Sequence, residues 1–364
     1  MIVAAIENFI FFSSLLAVCC FVLAWMVRGS VSKGWWEPHP LTLARVYAAA
    51  IVLPPLASAW LVAAALLPQA WLGEQTFAAS HPAPHHQLHL LGNVTAALEP
   101  GLAYATLLFA VAAASFALWS SVRGYLGISR VIDRLEMNAA PPPAEQVARV
   151  EEIAAKYKFS VGVVMSEYPV SIVWGFGRAR LVLSSGLLCA LTAEELIGLL
   201  EHEAAHHARR DNLTKLALTL LGHLSLAFPL SWRLLQWRAE QVEMICDEVA
   251  AARTAAPLEI AGALVKLRRL TRNVADIALS APLASSFFPD DISGFERRVR
   301  RVVALAETPP DAICVQSLAK SSAGEALSLT AAFAITLLLM IAVTPLAVHE
   351  VVESIIQLIR QFIR

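Results

Sequence analysis

Four long apolar segments constrain the fold of this chain more than any other feature of its sequence. They cover residues 9–27, 46–67, about 102–119 and 326–348, and each is close to the roughly 20 residues that a helix needs to cross the hydrocarbon core. The composition agrees, since 57% of the residues are hydrophobic and 16% are charged, unlike an ordinary soluble domain. The sequence therefore predicts a polytopic membrane protein with four transmembrane helices.

The positions of lysine and arginine predict the orientation of these helices, because basic residues concentrate in cytoplasmic loops. Arg28, Lys33 and Arg45 mark the first loop as cytoplasmic. No lysine or arginine occurs between Arg45 and Arg123, so the loop at about 68–99 is expected to face outward. The N-terminus and the C-terminus are predicted outside, and the first segment is interpreted as a retained helix rather than a cleaved signal peptide.

The domain organisation follows from these segments. Residues 1–126 are expected to hold three transmembrane helices with the outward loop, and 127–149 a linker that contains three consecutive prolines. A cytoplasmic domain is predicted at 150–322, followed by the fourth helix at 323–348 and an amphipathic interfacial tail at 349–364. The overall expectation is a predominantly α fold with one cytoplasmic α+β domain.

Within the cytoplasmic domain, hydrophobic periodicity and turn residues predict the main elements. Two or three short strands are expected in 159–164 and 170–183, and amphipathic helices in 261–272 and 295–304. A hairpin near 213–232, interrupted by Pro229, is expected to dip towards the bilayer. The arginines of the last helix are expected to face headgroups or water rather than nucleic acid; they are Arg297, Arg298, Arg300 and Arg301.

The pentapeptide His202-Glu203-Ala204-Ala205-His206 points to metal chemistry. Thr192 and Glu195 form a predicted capping box, which places the pentapeptide in the middle of a helix. Two imidazoles one helical turn apart can bind a single zinc ion, while Glu203 can act as general base toward a water molecule at the metal. The pattern therefore predicts a zinc peptidase, with a solvated helix carrying ordinary histidines as the alternative.

A catalytic zinc commonly has three protein ligands, so a third one is expected downstream. An outgoing and a returning helix would bring Glu243 back to the two histidines, with Asp247 one turn later to accept a hydrogen bond from an imidazole. Glu240 and Glu248 lie nearby, and each of these acids could instead be a surface charge. Cys246 is expected to face away from the site.

Three stretches of the chain together resemble the M56 family of membrane metallopeptidases. They are Glu194-Glu195-Leu196 continuing through His202-Glu203-Ala204-Ala205-His206-His207-Ala208-Arg209-Arg210-Asp211-Asn212, then Phe228-Pro229-Leu230-Ser231-Trp232, then Glu243-Met244-Ile245-Cys246-Asp247. The resemblance covers roughly 150–304, and the M48 family of membrane proteases is similar in the same positions. The resemblance to M56 implies a zincin-like (gluzincin) domain in which His202, His206 and Glu243 bind one Zn²⁺ per chain. It also implies that Glu203 is catalytic and that Asp247 supports the site.

The best-known M56 members are beta-lactam-responsive signal transducers, so the resemblance implies a multi-pass protein of the bacterial cytoplasmic (inner) membrane with a cytoplasmic active site. Those relatives carry an extracytoplasmic penicillin-binding domain after their last span, whereas this chain ends at Arg364. We therefore expect no beta-lactam sensing by this chain alone, and a stimulus that arrives through the spans, a short loop or a sensor partner.

The resulting hypothesis is an integral membrane zinc endopeptidase acting in signal transduction or regulated proteolysis. Its substrate would be a cytoplasmic transcriptional repressor, the protease itself or a membrane protein, and no direct nucleic acid binding is expected. Val173 and Trp174 are candidates for a strand that aligns the substrate backbone, with a plain core strand as the alternative. Two further hypotheses stay open, namely an M48-like quality-control protease and a catalytically silent membrane scaffold.

Overall fold

The computed structural model describes residues 2–66, 142–271 except 168, 175–179 and 226, then 285–286 and 292–308, with scattered residues between 104 and 123. The third predicted span is thus described at scattered residues only. The outward loop, the fourth span and the C-terminal tail lie outside the described residues.

The N-terminal part is a pair of long helices, α1 (Ile2–Ser32) and α2 (Pro40–Leu66). A short turn joins them, and Gly34 in this turn has a φ of +70°, a conformation that glycine adopts without steric cost. Stretches of 21 residues in each helix, Phe12–Ser32 and Pro40–Trp60, are long and apolar enough to cross a membrane. These two helices agree with the first two predicted spans.

The rest of the described chain forms a helical domain around a small sheet. Its elements in chain order are α3 (Ala144–Tyr157), β1 (Ser160–Val164), β2 (Ser171–Trp174), β3 (Arg180–Ser184), α4 (Ser185–Ala190), α5 (Ala193–Ala208), α6 (Asp211–Gly222), α7 (Phe228–Thr254), α8 (Pro257–Thr271), β4 (Ser285–Ser286) and α9 (Ile292–Ala306). The predicted strands and the two predicted amphipathic helices are confirmed. Helix α3 begins directly after the three prolines, within the residues predicted as a linker.

The described sheet has the strand order β1-β3-β2-β4. β1 pairs with β3 in parallel, while β2 pairs antiparallel with both β3 and β4. Leu181 and Leu183 of β3 are fully buried against Leu196 and Leu200 of α5, in the main hydrophobic core. Burying a leucine side chain stabilises a fold by about 1.5–3 kcal/mol, so this core fixes α5 against the sheet.

Helices α6 and α7 form the predicted outgoing and returning pair, and they pack against the membrane-type helices. Leu218 of α6 and Leu234 and Trp237 of α7 join Tyr47 and Ile51 of α2 in one buried cluster. The 27 residues of α7 run from this cluster to the domain core, where Ala250 and Ala251 are buried. One helix therefore connects the apolar helix pair with the sheet domain.

Two side-chain contacts fix α7 to the end of α1 and to the segment that joins α1 and α2. The Arg28 guanidinium donates to both carboxylate oxygens of Glu240, at 3.0 and 3.2 Å. The imidazole of His39, just before α2, lies 2.9 Å from a carboxylate oxygen of Glu248. The cytoplasmic loop predicted from the sequence thus contacts the helix that carries the predicted third ligand.

Candidate metal centre

Helix α5 carries the pentapeptide in its buried half. The predicted capping box is present, since the Thr192 hydroxyl accepts from the Glu195 amide at 3.2 Å and the Glu195 carboxylate accepts from the Thr192 amide at 2.8 Å. The helix therefore begins at a defined residue, which sets the direction of every later side chain. His202, Glu203 and His206 are at most 4% exposed.

Three side-chain groups converge in the space between α5 and α7. The Nε2 atoms of His202 and His206 lie 3.2 Å apart, and each is 3.4 Å from a carboxylate oxygen of Glu243. Ligands about 2.0–2.1 Å from a tetrahedral ion are roughly 3.3–3.4 Å from one another. The donor types and their spacing therefore fit a zinc ion, and the structure brings together the three residues that the sequence proposed as ligands.

Each imidazole is oriented by a carboxylate on its other nitrogen. Nδ1 of His202 lies 2.9 Å from Asp247, and Nδ1 of His206 lies 3.0 Å from Asp211. An imidazole that donates from Nδ1 presents the lone pair of Nε2, which is the arrangement of a metal-binding histidine. The structure places Asp247 where the sequence predicted, whereas Asp211 was not predicted to contact the site.

The position of Asp211 depends on a backbone turn that was not predicted from the sequence. Helix α5 ends at Ala208, and Arg210 takes a φ of +54°, which is uncommon for a residue with a side chain. This turn brings Asp211, only five positions after His206, back to its imidazole. The guanidinium groups of Arg209 and Arg238 lie 3.2 and 3.6 Å from the Asp211 carboxylate and balance its charge.

Glu203 is held by one contact and leaves one oxygen available. The Ser171 hydroxyl of β2 donates to Oε1 of Glu203 at 2.8 Å, while Oε2 is buried and has no hydrogen-bond partner among the described residues. Burial raises the pKa of Glu203, although the imidazoles of His202 and His206 act in the opposite direction. A buried carboxylate with one free oxygen beside the histidines has the placement that a general base needs.

Arg298 of α9 contacts two acids of the site, Asp247 and Glu243. This contact was not predicted from the sequence. Its Nε and Nη2 donate to Asp247 at 2.7 and 2.9 Å, and its Nη1 lies 3.0 Å from Glu243. Burial acts to raise the pKa of Glu243, but the Arg298 guanidinium and His206 outweigh it and hold that pKa well below its usual range. The expectation that Arg298 faces headgroups or water is wrong, because two buried carboxylates compensate its charge.

The other two glutamates of α7 and its cysteine also make specific contacts in the structure. Glu240 contacts arginines of α1 and α9, and Glu248 contacts His39 and an arginine of α9, so the structure brings Glu243 rather than either of them to the histidines. Cys246 does not face away from the site as expected, since its Sγ lies 4.0 Å from Asp211 in a buried group that includes His206. Cys246 therefore lies on the side of the centre that faces α6.

The candidate substrate strand β2 lies beside Glu203, since its residue Ser171 contacts that side chain. Val173 is buried, and its carbonyl accepts from the side-chain amide of Asn212 at 3.1 Å. It also lines a small open cleft next to His206. The two-residue strand β4 pairs with Ile172 and Val173 on the outer edge of β2, and Trp174 pairs with Arg180 of β3. A role of Val173 and Trp174 in aligning substrate stays a prediction.

Comparison with known proteins agrees with this arrangement. Residues 144–280 match the model of peptidase family M48. The chain is also similar to a protein described as "Protease HtpX homolog" from Acidiphilium cryptum (strain JF-5), with 27% identity over 226 residues that cover 52% of this chain and 77% of the relative. The comparisons support a membrane-type metallopeptidase.

The peptidase match includes β1 to β3 and every residue of the His-His-Glu group, but it ends before α9. No solved structure matches this chain significantly. The matched peptidase family is M48, which the sequence motifs also resemble, and neither match assigns the chain to M56. Together with the two long apolar helices, the similarity to a protease of the HtpX type suggests a protein of the inner membrane.

Proposed function

We propose that this protein is an integral membrane zinc endopeptidase. Its zinc would be held by His202, His206 and Glu243. The observation that carries the proposal is the convergence of two Nε2 atoms and one carboxylate at 3.2–3.4 Å from one another, beside the free oxygen of Glu203. A scaffold without activity would not need a buried carboxylate with an unsatisfied oxygen at this point, because such an atom destabilises a fold unless it has a function.

In the proposed reaction each side chain has a separate task. When bound, zinc would act as a Lewis acid and lower the pKa of a water molecule. Glu203 accepts the proton of the attacking water on Oε2 and later delivers it to the leaving amine, while Ser171 keeps Oε1 in place. Asp247 and Asp211 fix the ring orientation of His202 and His206.

The peptidase domain is proposed to lie at the cytoplasmic membrane surface. Arg28 near the end of α1 and His39 just before α2 contact Glu240 and Glu248 of α7, so the turn between α1 and α2 and the candidate centre are on the same side of the apolar helix pair. The turn carries basic residues, which favours the cytoplasmic side. The outward loop, the third and fourth spans and the external termini remain sequence-based proposals.

Removing the metal tests the proposed chemistry. We expect a phenanthroline chelator to reduce cleavage of a fluorogenic casein by the full chain in detergent to background, and zinc to restore it. The non-chelating isomer of phenanthroline is the control, because it has the same apolar surface but cannot bind zinc. Cleavage that persists in the chelator would contradict a zinc mechanism.

Two physiological roles fit the candidate site. Regulated proteolysis of a transcriptional repressor, of the protease itself or of a membrane protein follows from the resemblance to signal-transducing M56 peptidases, and it includes a sensor partner as the source of the stimulus. Quality control of membrane proteins fits the M48 match and the HtpX-type relative about as well. Both roles require the same residues, so the substrate range distinguishes them.

A comparison of protein termini between cells with the active protein and cells with Glu203→Ala distinguishes the two roles. One or a few substrates whose new termini require Glu203 are the expected result for signalling. Broad accumulation of damaged membrane proteins in the Glu203→Ala cells would instead support quality control. Equal termini and equal protein levels in both strains, under conditions where the active protein cleaves casein in vitro, would contradict both roles.

A further inference from the structure

Helix α9 is attached to α7 by three arginines that meet four carboxylates. Arg297 lies 3.0 Å from Glu240, and Arg301 pairs with Glu248. Between these two contacts, Arg298 bridges Glu243 and Asp247. The peptidase-family match ends at residue 280, so α9 brings a contact to the candidate centre that the match does not include.

The burial of Arg298 sets it apart from the other arginines of this helix. Its side chain is 2% exposed, against 46% for Arg297 and 37% for Arg301, and Arg300 is exposed. A buried guanidinium is costly unless its charge is balanced and its hydrogen-bond donors are satisfied. Its Nε and Nη2 donate to Asp247 and its Nη1 lies 3.0 Å from Glu243, so its position is tied to these two acids.

The two acids that Arg298 binds are those with tasks in the candidate zinc centre. Asp247 contacts Nδ1 of His202, and Glu243 contacts Nε2 of both His202 and His206. The planar guanidinium can hold two carboxylates in fixed directions, whereas a lysine ammonium is a point charge without such a fork. The contact can therefore fix the orientation of the third ligand before any metal is present.

We propose that Arg298 is a positioning residue of the metal centre, which orients Glu243 and Asp247 and makes zinc binding depend on the docking of α9 onto α7. This inference rests on the proposed zinc site. Arg298 touches the ligand and its supporting acid, and it acts through them rather than on the substrate. Helix α9 is thereby part of the centre.

The test is a zinc-affinity measurement on the full chain in detergent, by competition with a chromophoric chelator. Arg298→Lys keeps the positive charge but loses the fork, so a change in affinity reports positioning rather than net charge. We expect its zinc dissociation constant to rise by about 10–100-fold, the usual effect of losing a group that supports a ligand. Arg300→Lys on the same helix is the matched control and is expected to bind zinc like the unmodified protein.

The outcomes separate this inference from the proposed function. Arg298→Lys that binds zinc as tightly as the unmodified protein would overturn the positioning role and leave the zinc site standing. An unmodified protein that binds no zinc would instead remove the site itself. A change in the visible spectrum of the cobalt-loaded Arg298→Lys protein, absent from Arg300→Lys, is also expected, because a reoriented Glu243 alters the ligand field.

A second variant covers the case in which lysine is not accepted at this buried position. Arg298→Gln has a planar amide donor and no charge, and circular dichroism of each metal-free variant shows whether it is folded. Removing the positive charge also removes a repulsion of the zinc ion, so weaker binding by Arg298→Gln, measured at a pH where a carboxyl group is ionised without help from Arg298, supports positioning. Equal or tighter binding by the folded variant would overturn it.

Discussion

Replacing Glu203 with glutamine is expected to lower the rate of peptide cleavage by about 10²–10⁴-fold, the usual contribution of a general base. Glutamine fills the same buried space and can keep a hydrogen bond to Ser171, but its amide cannot accept the proton of the attacking water. The measurement is the cleavage rate of a fluorogenic casein by the full chain in detergent, together with its zinc content.

The zinc content of Glu203→Gln is expected to remain that of the unmodified protein, because Glu203 is not one of the three proposed ligands. Glu194→Gln is the matched control, since Glu194 is an exposed acid on the same helix. Its cleavage rate should not change. Undiminished cleavage by Glu203→Gln would exclude this residue as the base, and loss of zinc from it would place Glu203 among the ligands.

Replacing Glu243 with alanine is expected to remove most of the bound zinc. The unmodified protein should contain about one zinc per chain, and the variant should bind it more weakly by more than the roughly 10–100-fold that a supporting residue contributes. The fold should persist, because Arg298 keeps its two hydrogen bonds to Asp247 when Glu243 is lost. Metal analysis of both proteins after dialysis is the measurement.

Glu240→Ala is the control for this experiment, because Glu240 is an acid on the same helix, one turn before Glu243. Its carboxylate binds Arg28 and Arg297 rather than the histidines, so its loss should leave the zinc content unchanged. Zinc that is retained by Glu243→Ala and lost from Glu240→Ala would contradict the proposed ligand set. Absence of zinc from all three proteins, after exposure to zinc, would favour the silent scaffold.

The contacts of α7 suggest why membrane helices and a peptidase centre occur in one chain. The same helix presents Glu243 to the histidines and packs Leu234 and Trp237 against α2. It also contacts the end of α1 through Glu240 and the α1–α2 turn through Glu248. The geometry of α7 is therefore the physical link between the apolar helix pair and the candidate centre.

The sequence by itself determined the features that depend on local spacing. Apolar length predicted α1 and α2, the Thr192–Glu195 pair predicted the start of α5, and one-turn spacing put His202 and His206 on one face. Glu243 could be proposed because the returning helix was recognisable from its own periodicity. Each of these inferences uses residues within one or two elements, where backbone geometry alone fixes which side chains share a face.

The tertiary structure alone decided the contacts that support the site. Ser171 reaches Glu203 from a strand, Asp211 reaches His206 through a turn with positive φ, and Arg298 arrives from a helix more than 50 residues after Asp247. No local sequence pattern predicts such pairs. The sequence of an amphipathic helix does not distinguish an arginine that faces water from one that faces a buried carboxylate. The physical reason is that charge compensation at a buried site depends on the distance between the charged groups in space. The tertiary fold sets this distance, and the spacing of the residues along the chain does not.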